Sequence, residues 1–518
     1  MNISELYSAA VNELDAGNFD ASLSIVAELK TVAPAWKKIF LLEARIFFAR
    51  AEFLRALTVL ENLLPRLNLS VASEKILAAD ALSLSASACR ELGFIGDAVA
   101  KFRLSAKLEN DARQACAEIS NALFAACHDE NFSRADFDAL YAEYKNFLSD
   151  VKPFAPKSYA HKKIRVGFVS ADFGWHAVMA WSWALLTELD KNFFATCLYS
   201  ASAAGDEVTE YLRATCDLWR DISDLTDFDA AKLIRDDEID ILFDLSGHTS
   251  GNRLRVAAYK PAPVQISGVG YMNSTGLDCF DYFLSDVHCA GDESYFAEKL
   301  ICMPNSHICY NSQLTKILPA AEPPCLRNGF VTFASFNNFA KVTDTILVAW
   351  KKILDRVPES RLLLKHKIFS SAEGRNFVAQ RLKNFGFDIA RVEMRGYTSN
   401  HAVDYADIDV ALDTFPYTGG VTTCENLWMG VPVVSLYGDR HGTRFGLSML
   451  TNVGLPELAV ATVDEYISRA VMLACDSELL ILLRRNLRDM MKNSPLMDAS
   501  VYVRDLEKIF KRILSCGR

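Results

Sequence analysis

Residues 409–437 read DVALDTFPYTGGVTTCENLWMGVPVVSLY. An apolar run ends at Asp413-Thr414, a Gly-Gly turn follows, and a second apolar run opens at Val431. Between them lies a short amphipathic pattern that begins near Thr422 and stops at Gly430, with Pro432 just beyond. That is the signature of a helix closed by a left-handed glycine. Strand, turn, helix and strand in so short a span make one step of a parallel α/β sheet.

The alternation extends upstream. KIRVGFVS, FATCLYS, IDILFDLS, PVQISG and FDYFLSD are β-branched and aromatic runs, separated by helical stretches such as DEVTEYLRAT and DFDAAKLIRDD. Continuous apolar strands belong to a parallel sheet covered on both faces. The proline-rich LPAAEPPCLRNG, Leu318 to Gly329, reads as a linker. After it come GFVTFASF, the helix TDTILVAWKKILDRV with Thr343 as its cap, RLLLKHK and ARVEMRG, which lead into the opening stretch. From Val463 the tail is mostly helical. Two doubly wound units joined by a linker place a ligand cleft between them, at the carboxyl ends of their strands. The expected units are 160–318 and 325–518.

Residues 1–150 read as helical throughout. GNFDAS, AEFLRA, GFIGDA and ENFSRA recur around Phe19, Phe53, Ile95 and Phe132, each followed three positions later by Ser22, Ala56, Ala98 or Ala135. The first interval matches the tetratricopeptide period, and an aromatic-x-x-small element marks the tight contact inside a helical hairpin. The later intervals are irregular, so the reading is a short, degenerate tetratricopeptide-like domain, with an ordinary helical bundle as the alternative.

The chain has 518 residues, 51% of them apolar and 23% charged, with a net charge of −10 spread along its length. Interleaved charge argues against a nucleic-acid partner. The longest apolar stretches, such as VMAWSWALLTEL, are half of what a bilayer span needs. The first residues, MNISELYSAAVNELDAG, lack the basic and apolar regions of a secretory signal, so a cytoplasmic location is expected. The 13 cysteines show neither C-x-x-C pairs nor zinc spacing; free thiols and no structural metal are expected.

Several residues are candidates for chemistry. In the opening stretch, Thr422-x-x-Glu425 has the spacing of a capping box, which would account for both residues without a ligand. It does not account for Thr418-Gly419-Gly420-Val421, where unencumbered amides lead into a helix N-terminus, a ready seat for an anion. Lys341 stands between a strand and the helix capped by Thr343; such a lysine is ordinarily a solvated surface residue. His176 and His248 follow first-unit strands and face the expected cleft; the alternative is a structural histidine at a strand end. Asp407-x-Asp409 has the look of a metal motif but leads into a strand. Gly268-Val-Gly270 is an incomplete dinucleotide fingerprint, with Asn273 in the last place. Arg440-His441 reads as a loop lining the cleft or lying on the surface.

The opening stretch and its continuation through GDRHGTRFGLSMLTNVGLPEL resemble the SPINDLY/O-GlcNAc transferase glycosyltransferases. So, in the same order, do IRVGFVSADFGWHAV, FDLSGHTSGNRLRVAAYKPAPVQ, GYMNSTGLDCFDYFLSD and FASFNNFAKVTDTILVAWKKILDRVPESRLLL, which together span roughly residues 160–475. The resemblance implies a GT-B fold, two Rossmann-like lobes, behind the tetratricopeptide-like domain. It implies a metal-independent, inverting transfer of sugar from a nucleotide donor to Ser or Thr of a protein, with no cofactor. Lys341 matches the family's essential lysine, and His176 a histidine near the acceptor, a candidate general base. Gly420, Val421, Thr422 and Thr423 would hold the donor diphosphate, with His401 and Glu425 on the nucleoside. His248 and Arg440 are further substrate-positioning candidates. Where the O-GlcNAc transferases have an arginine and a turn histidine, this chain has Asp404 and Gly420, departures that make it look more like the SPINDLY branch. UDP-GlcNAc is the expected donor and GDP-fucose the competitor. Two rival functions are a glycosyltransferase acting on glycans or small molecules, and a non-catalytic helical-repeat adaptor.

Overall fold

The computed structural model describes residues 2–312 and 317–516. Eight helices open it: α1 Ile3–Asp15, α2 Phe19–Val32, α3 Lys38–Ala49, α4 Phe53–Leu63, α5 Ala72–Leu92, α6 Ile95–Leu108, α7 Ala112–Ala126 and α8 Arg134–Asn146. They pack as successive hairpins. Phe19, Phe53 and Ile95 open α2, α4 and α6, and the small residues three positions on, Ser22, Ala56 and Ala98, are fully buried. Ser22 also donates to the Ala10 carbonyl of α1 at 2.7 Å, fastening that hairpin. The fourth element departs from the pattern. Ser133 caps α8, so Ala135 lies on the solvent side while Phe137, Leu140, Tyr141 and Tyr144 turn inward.

Seven strands follow: β1 Ile164–Ser170, β2 Phe194–Ser200, β3 Leu218–Asp221, β4 Ile241–Asp244, β5 Val264–Gly268, β6 Tyr282–Asp286 and β7 Lys299–Met303. They form one sheet in the order β3-β2-β1-β4-β5-β6-β7. A second sheet holds β8 Thr332–Ser335, β9 Arg361–Lys365, β10 Val392–Arg395, β11 Val410–Leu412, β12 Val433–Leu436 and β13 Ala459–Val460, ordered β10-β9-β8-β11-β12-β13. Every pairing between these strands is parallel. The strand order reverses between β1 and β4 in one lobe and between β8 and β11 in the other. Crevices for ligands open at such switch points, outside the carboxyl ends of the strands.

The tail divides. Val463–Cys475 and Ser477–Lys492 pack on the second lobe, but the last helix, Ala499–Cys516, crosses back to the first. Its Phe510 ring lies 6.3 Å from Phe194, and Glu507 accepts the Asp190 amide at 2.7 Å. This corrects the placement of the whole tail in the second unit. The helix carries a stripe of buried apolar residues, Tyr502, Val503, Leu506 and Phe510, and the first lobe supplies the surface that covers it.

The helical array sits on both lobes. Tyr141 donates to the Ser274 carbonyl at 3.0 Å, and a Cβ at Gly276, whose φ is +66°, would fall 2.1 Å from the Tyr141 ring. Only glycine admits that approach. Glu130 reaches Thr345 of the second lobe at 3.0 Å.

Candidate active site

The chain leaves β11 at Asp413, whose buried carboxylate accepts the Gly419 amide at 2.6 Å, the Thr414 amide at 2.8 Å and the Ser435 hydroxyl at 2.6 Å. Burial raises the Asp413 carboxyl, and these donors hold it down. The first lobe repeats the device: Asp244, ending β4, accepts the Gly247 amide and the Ser267 hydroxyl, each at 2.8 Å. With Gly419 fixed from below, a helix starts at Val421 with Gly420 as its uncapped N-terminal neighbour. Among the described residues, the amides of Gly420, Val421 and Thr422 donate to no protein group, and these three residues line a cavity of about 460 Å³.

The expected capping box does not form. The helix begins one residue earlier than its sequence suggests, which puts Thr422 inside the first turn. The Glu425 carboxylate accepts the Tyr405 hydroxyl at 2.8 Å and lies 3.4 Å from His401 Nε2. That contact raises the His401 pKa, chiefly through the hydrogen bond. The Thr423 amide is bonded to the Gly420 carbonyl at 2.9 Å. The unpaired amides therefore run from 420 to 422, and Thr423 drops out of the expected set. Gly430 closes the helix at φ +77°, as its sequence position demands.

Lys341 follows β8, the strand beside β11, in a short turn before the helix that Thr343 caps. It is not a solvated surface lysine. Its Nζ donates to the Thr418 carbonyl at 3.2 Å and sits 3.7 Å above the Tyr417 ring. Burial lowers its pKa to about 8, with Asp413 pulling the other way. The two strands at the switch point thus deliver an ammonium and three unpaired amides to one cavity.

The first lobe supplies the facing wall. His176 lines the cavity with its side chain 53% exposed, enough for a substrate to reach it. Its Nδ1 accepts the Val178 amide at 3.3 Å and lies 3.6 Å from the Asp172 carboxylate. Trp181 backs the Gly-Gly turn: a Cβ at Gly420 would fall 2.9 Å from its indole. Val269, at φ +71°, bends the β5 loop into the same wall. A β-branched residue in that conformation is strained, and such strain gathers at functional sites. The helical array closes the cavity with Arg90, Asn121 and Phe124. None of these three carries a sequence signal.

Two candidates do not reach the cavity. His248 is buried, with Nδ1 2.9 Å from the Ser120 hydroxyl and Nε2 2.8 Å from the Thr275 carbonyl, and burial lowers its pKa to about 4. It rivets α7 to the first lobe. Arg440 donates to the Asp129 carbonyl at 2.9 Å and covers the Phe137 ring, a clasp between the second lobe and the helical array. Asp409 of the D-x-D run accepts the Thr332 amide at 2.8 Å and the Cys325 amide at 2.9 Å. A larger groove, about 1620 Å³, lies between the first helical hairpins and the second lobe. Arg50, Arg55 and Lys367 there are spent on Asp20, Glu52 and Glu91, and no candidate residue faces it.

The model of the family described as glycosyl transferase family 41 matches residues 148–320 and 310–506. A tomato (Solanum lycopersicum) protein named a probable UDP-N-acetylglucosamine–peptide N-acetylglucosaminyltransferase SPINDLY is 36% identical over 384 residues, 72% of this chain and 40% of its own. The Arabidopsis thaliana SEC protein, with the same activity in its name, is 29% identical over 67% of this chain and 37% of its own. The chain thus spans about two fifths of the length of these curated relatives. A lysine-to-methionine mutant of the Thermobaculum terrenum O-GlcNAc transferase superimposes with a TM-score of 0.86 at 27% identity, covering 99% of this chain and 98% of that one.

Proposed function

The chain belongs to glycosyl transferase family 41, and from that premise we propose that it is an inverting protein O-glycosyltransferase. The acceptor Ser or Thr hydroxyl attacks the anomeric carbon, and the bond from that carbon to the donor's β-phosphate oxygen breaks. The nucleoside diphosphate leaves carrying the electron pair. The convergence of Lys341 with the unpaired amides of Gly420, Val421 and Thr422 carries this reading. Charge accumulates on the leaving diphosphate in the transition state, so fixed donors aimed there lower the barrier. Loss of one such donor costs about 3–4 kcal/mol, roughly 10²–10³-fold in rate. With these groups on the leaving charge, the reaction requires neither a catalytic metal nor a cofactor.

His176 is the candidate base for the hydroxyl proton. With Nδ1 accepting from Val178, the neutral ring carries its proton on Nε2; base function needs that proton on Nδ1, toward Asp172. His401 and Glu425, joined by Tyr405, form the candidate nucleoside seat. The helical array, which walls the cleft, presents the polypeptide acceptor. We take UDP-GlcNAc as the donor, as in the names of the relatives.

GDP-fucose is the second reading, and the Gly420–Trp181 contact favours it. The indole fills the space in which a turn histidine would stand, and Asp404 is committed to Lys365 and Arg395. Binding and turnover of UDP-GlcNAc, GDP-fucose and other nucleotide sugars by wild type and Lys341→Ala decides the matter. Transfer from UDP-GlcNAc that collapses in Lys341→Ala is expected. Exclusive use of GDP-fucose reverses the donor. Failure to bind any donor leaves the adaptor reading. Turnover with a glycan or small molecule and no protein acceptor makes the acceptor class wrong.

A further inference from the structure

Below the cleft, three residues far apart in sequence meet. Cys289 lies in the turn after β6, His307 beyond β7, and His441 in a short turn of the second lobe. One ligand-type atom from each lies within 4.8 Å of the others, and the three side chains are essentially inaccessible to solvent. We propose that this trio is a structural metal site, of zinc type, that clips the two lobes together.

Four observations support it. First, one thiolate and two imidazoles suit Zn²⁺ and fill three of its four tetrahedral positions, leaving the fourth to a water or a backbone carbonyl. Zinc bonds of about 2.0–2.3 Å give ligand edges of roughly 3.5 Å, so atoms within 4.8 Å of one another draw in by about 1.3 Å at most. Second, His307 is already oriented as a ligand. Its Nδ1 donates to the Asp286 carboxylate at 2.6 Å, leaving Nε2 as the free donor atom. A carboxylate behind a metal-bound histidine fixes its tautomer and its basicity. The same carboxylate accepts the amides of His288, Cys289 and His307 and the Ser448 hydroxyl, so the supporting hydrogen bonds are in place around two of the three ligands.

Third, His441 has no other employment. The Met272 carbonyl lies nearby, yet neither ring nitrogen meets hydrogen-bond geometry with any described group. The rings of Phe283, Phe296 and Phe445 enclose it at 5.2, 5.9 and 5.2 Å. A buried polar group without a partner is costly, and a metal ligand bond removes that cost. Fourth, the position has a consequence. Phe445, whose ring lies 5.3 Å from His307, also lines the cavity, as does Ile308. A metal here fixes the angle between lobes beneath the donor seat, and it does so without touching the reacting atoms. The Cys289 thiol, now donating to the Arg444 carbonyl at 3.4 Å, gives up its proton on binding.

The test uses the 518-residue chain produced in zinc-supplemented medium, with bound metal measured by mass spectrometry. About one zinc per chain is expected, falling at least about tenfold in Cys289→Ser and in His441→Gln. X-ray absorption of the wild type is expected to show one sulfur and two imidazole nitrogens in the zinc shell. Cobalt reconstitution is expected to give thiolate charge-transfer absorption that Cys289→Ser lacks. A zinc shell without sulfur, or metal content below about one tenth per chain after refolding with zinc, overturns the site. Those two measurements on the wild type hold even if the variants fail to fold.

Discussion

Lys341 is charged in a place that disfavours charge, and its two environments titrate in opposite directions. In the free protein, burial brings its pKa to about 8; the diphosphate of the proposed donor would push it back up. The alkaline limb of kcat/KM is therefore expected near pH 8, with that of kcat displaced to higher pH, and Lys341→Met should retain neither limb. The same residue costs stability. Its folded pKa lies below the unfolded value of 10.5, so the penalty of holding it charged is full below about pH 8 and gone above 10.5. Lys341→Met should accordingly melt higher than wild type at pH 7, by an amount that shrinks as pH rises; equal melting temperatures at pH 7 would refute the buried-charge account. Gly420 is the other residue under steric control. Gly420→Ala pushes a Cβ to within 2.9 Å of Trp181 and should cut donor kcat/KM about 10–100-fold, partly restored by Trp181→Leu in a double-mutant cycle.

At the scale of elements, what is legible in the sequence is what repeats. Continuous β-branched and aromatic runs locate the strands, and Gly430 and Thr343 mark helix ends where the structure has them. The start of the Gly420 helix is obscured because Thr422 and Glu425 match a capping pattern, while the competing partners of Glu425, Tyr405 and His401, lie some twenty residues upstream. His248 is placed in the cleft by its sequence for a similar reason. Its loop does face the cleft, through Thr249 and Ser250, but its ring turns to α7, an element whose position no local pattern encodes. Arg90, Asn121 and Phe124 are invisible for the same cause, and so is the cysteine-histidine trio, whose members span both lobes. The His248 rivet makes a pH prediction. Burial holds its pKa at about 4, below the free value of 6.5, so its contribution is complete above pH 6.5 and lost as pH falls through 4. His248→Ala should cost about 2–4 kcal/mol at pH 7, chiefly from the unpaired Ser120 and Thr275 groups, and leave donor affinity in place. A loss of donor binding in a folded His248→Ala would return this residue to the site.

For the whole molecule, the proposed transfer needs a donor seat on one lobe and an acceptor wall on the other to hold a fixed relation. Lys341 and the 420–422 amides belong to the second sheet, His176 and Trp181 to the first, and three structures span the gap between them. The helical array does so through Tyr141, Glu130 and the Arg440 clasp, and the cysteine-histidine trio does so from below. The third is the last helix, which leaves the second lobe and buries Leu506 and Phe510 on the first. Its hold is apolar and local, so it can be weakened without touching the cleft. Phe510→Ala should cost about 3–5 kcal/mol, and Phe194→Ala a comparable amount. Because the two rings face each other at 6.3 Å, the double variant should lose less than the sum. If the crossing helix sets the angle between lobes, Phe510→Ala lowers kcat for the proposed sugar transfer while the Kd of the nucleoside diphosphate, whose proposed seat lies mainly on the second lobe, stays within about twofold of wild type. An equal loss of nucleotide affinity would mean that the helix supports the second lobe itself, and the case for a separate interlobe clamp would fall.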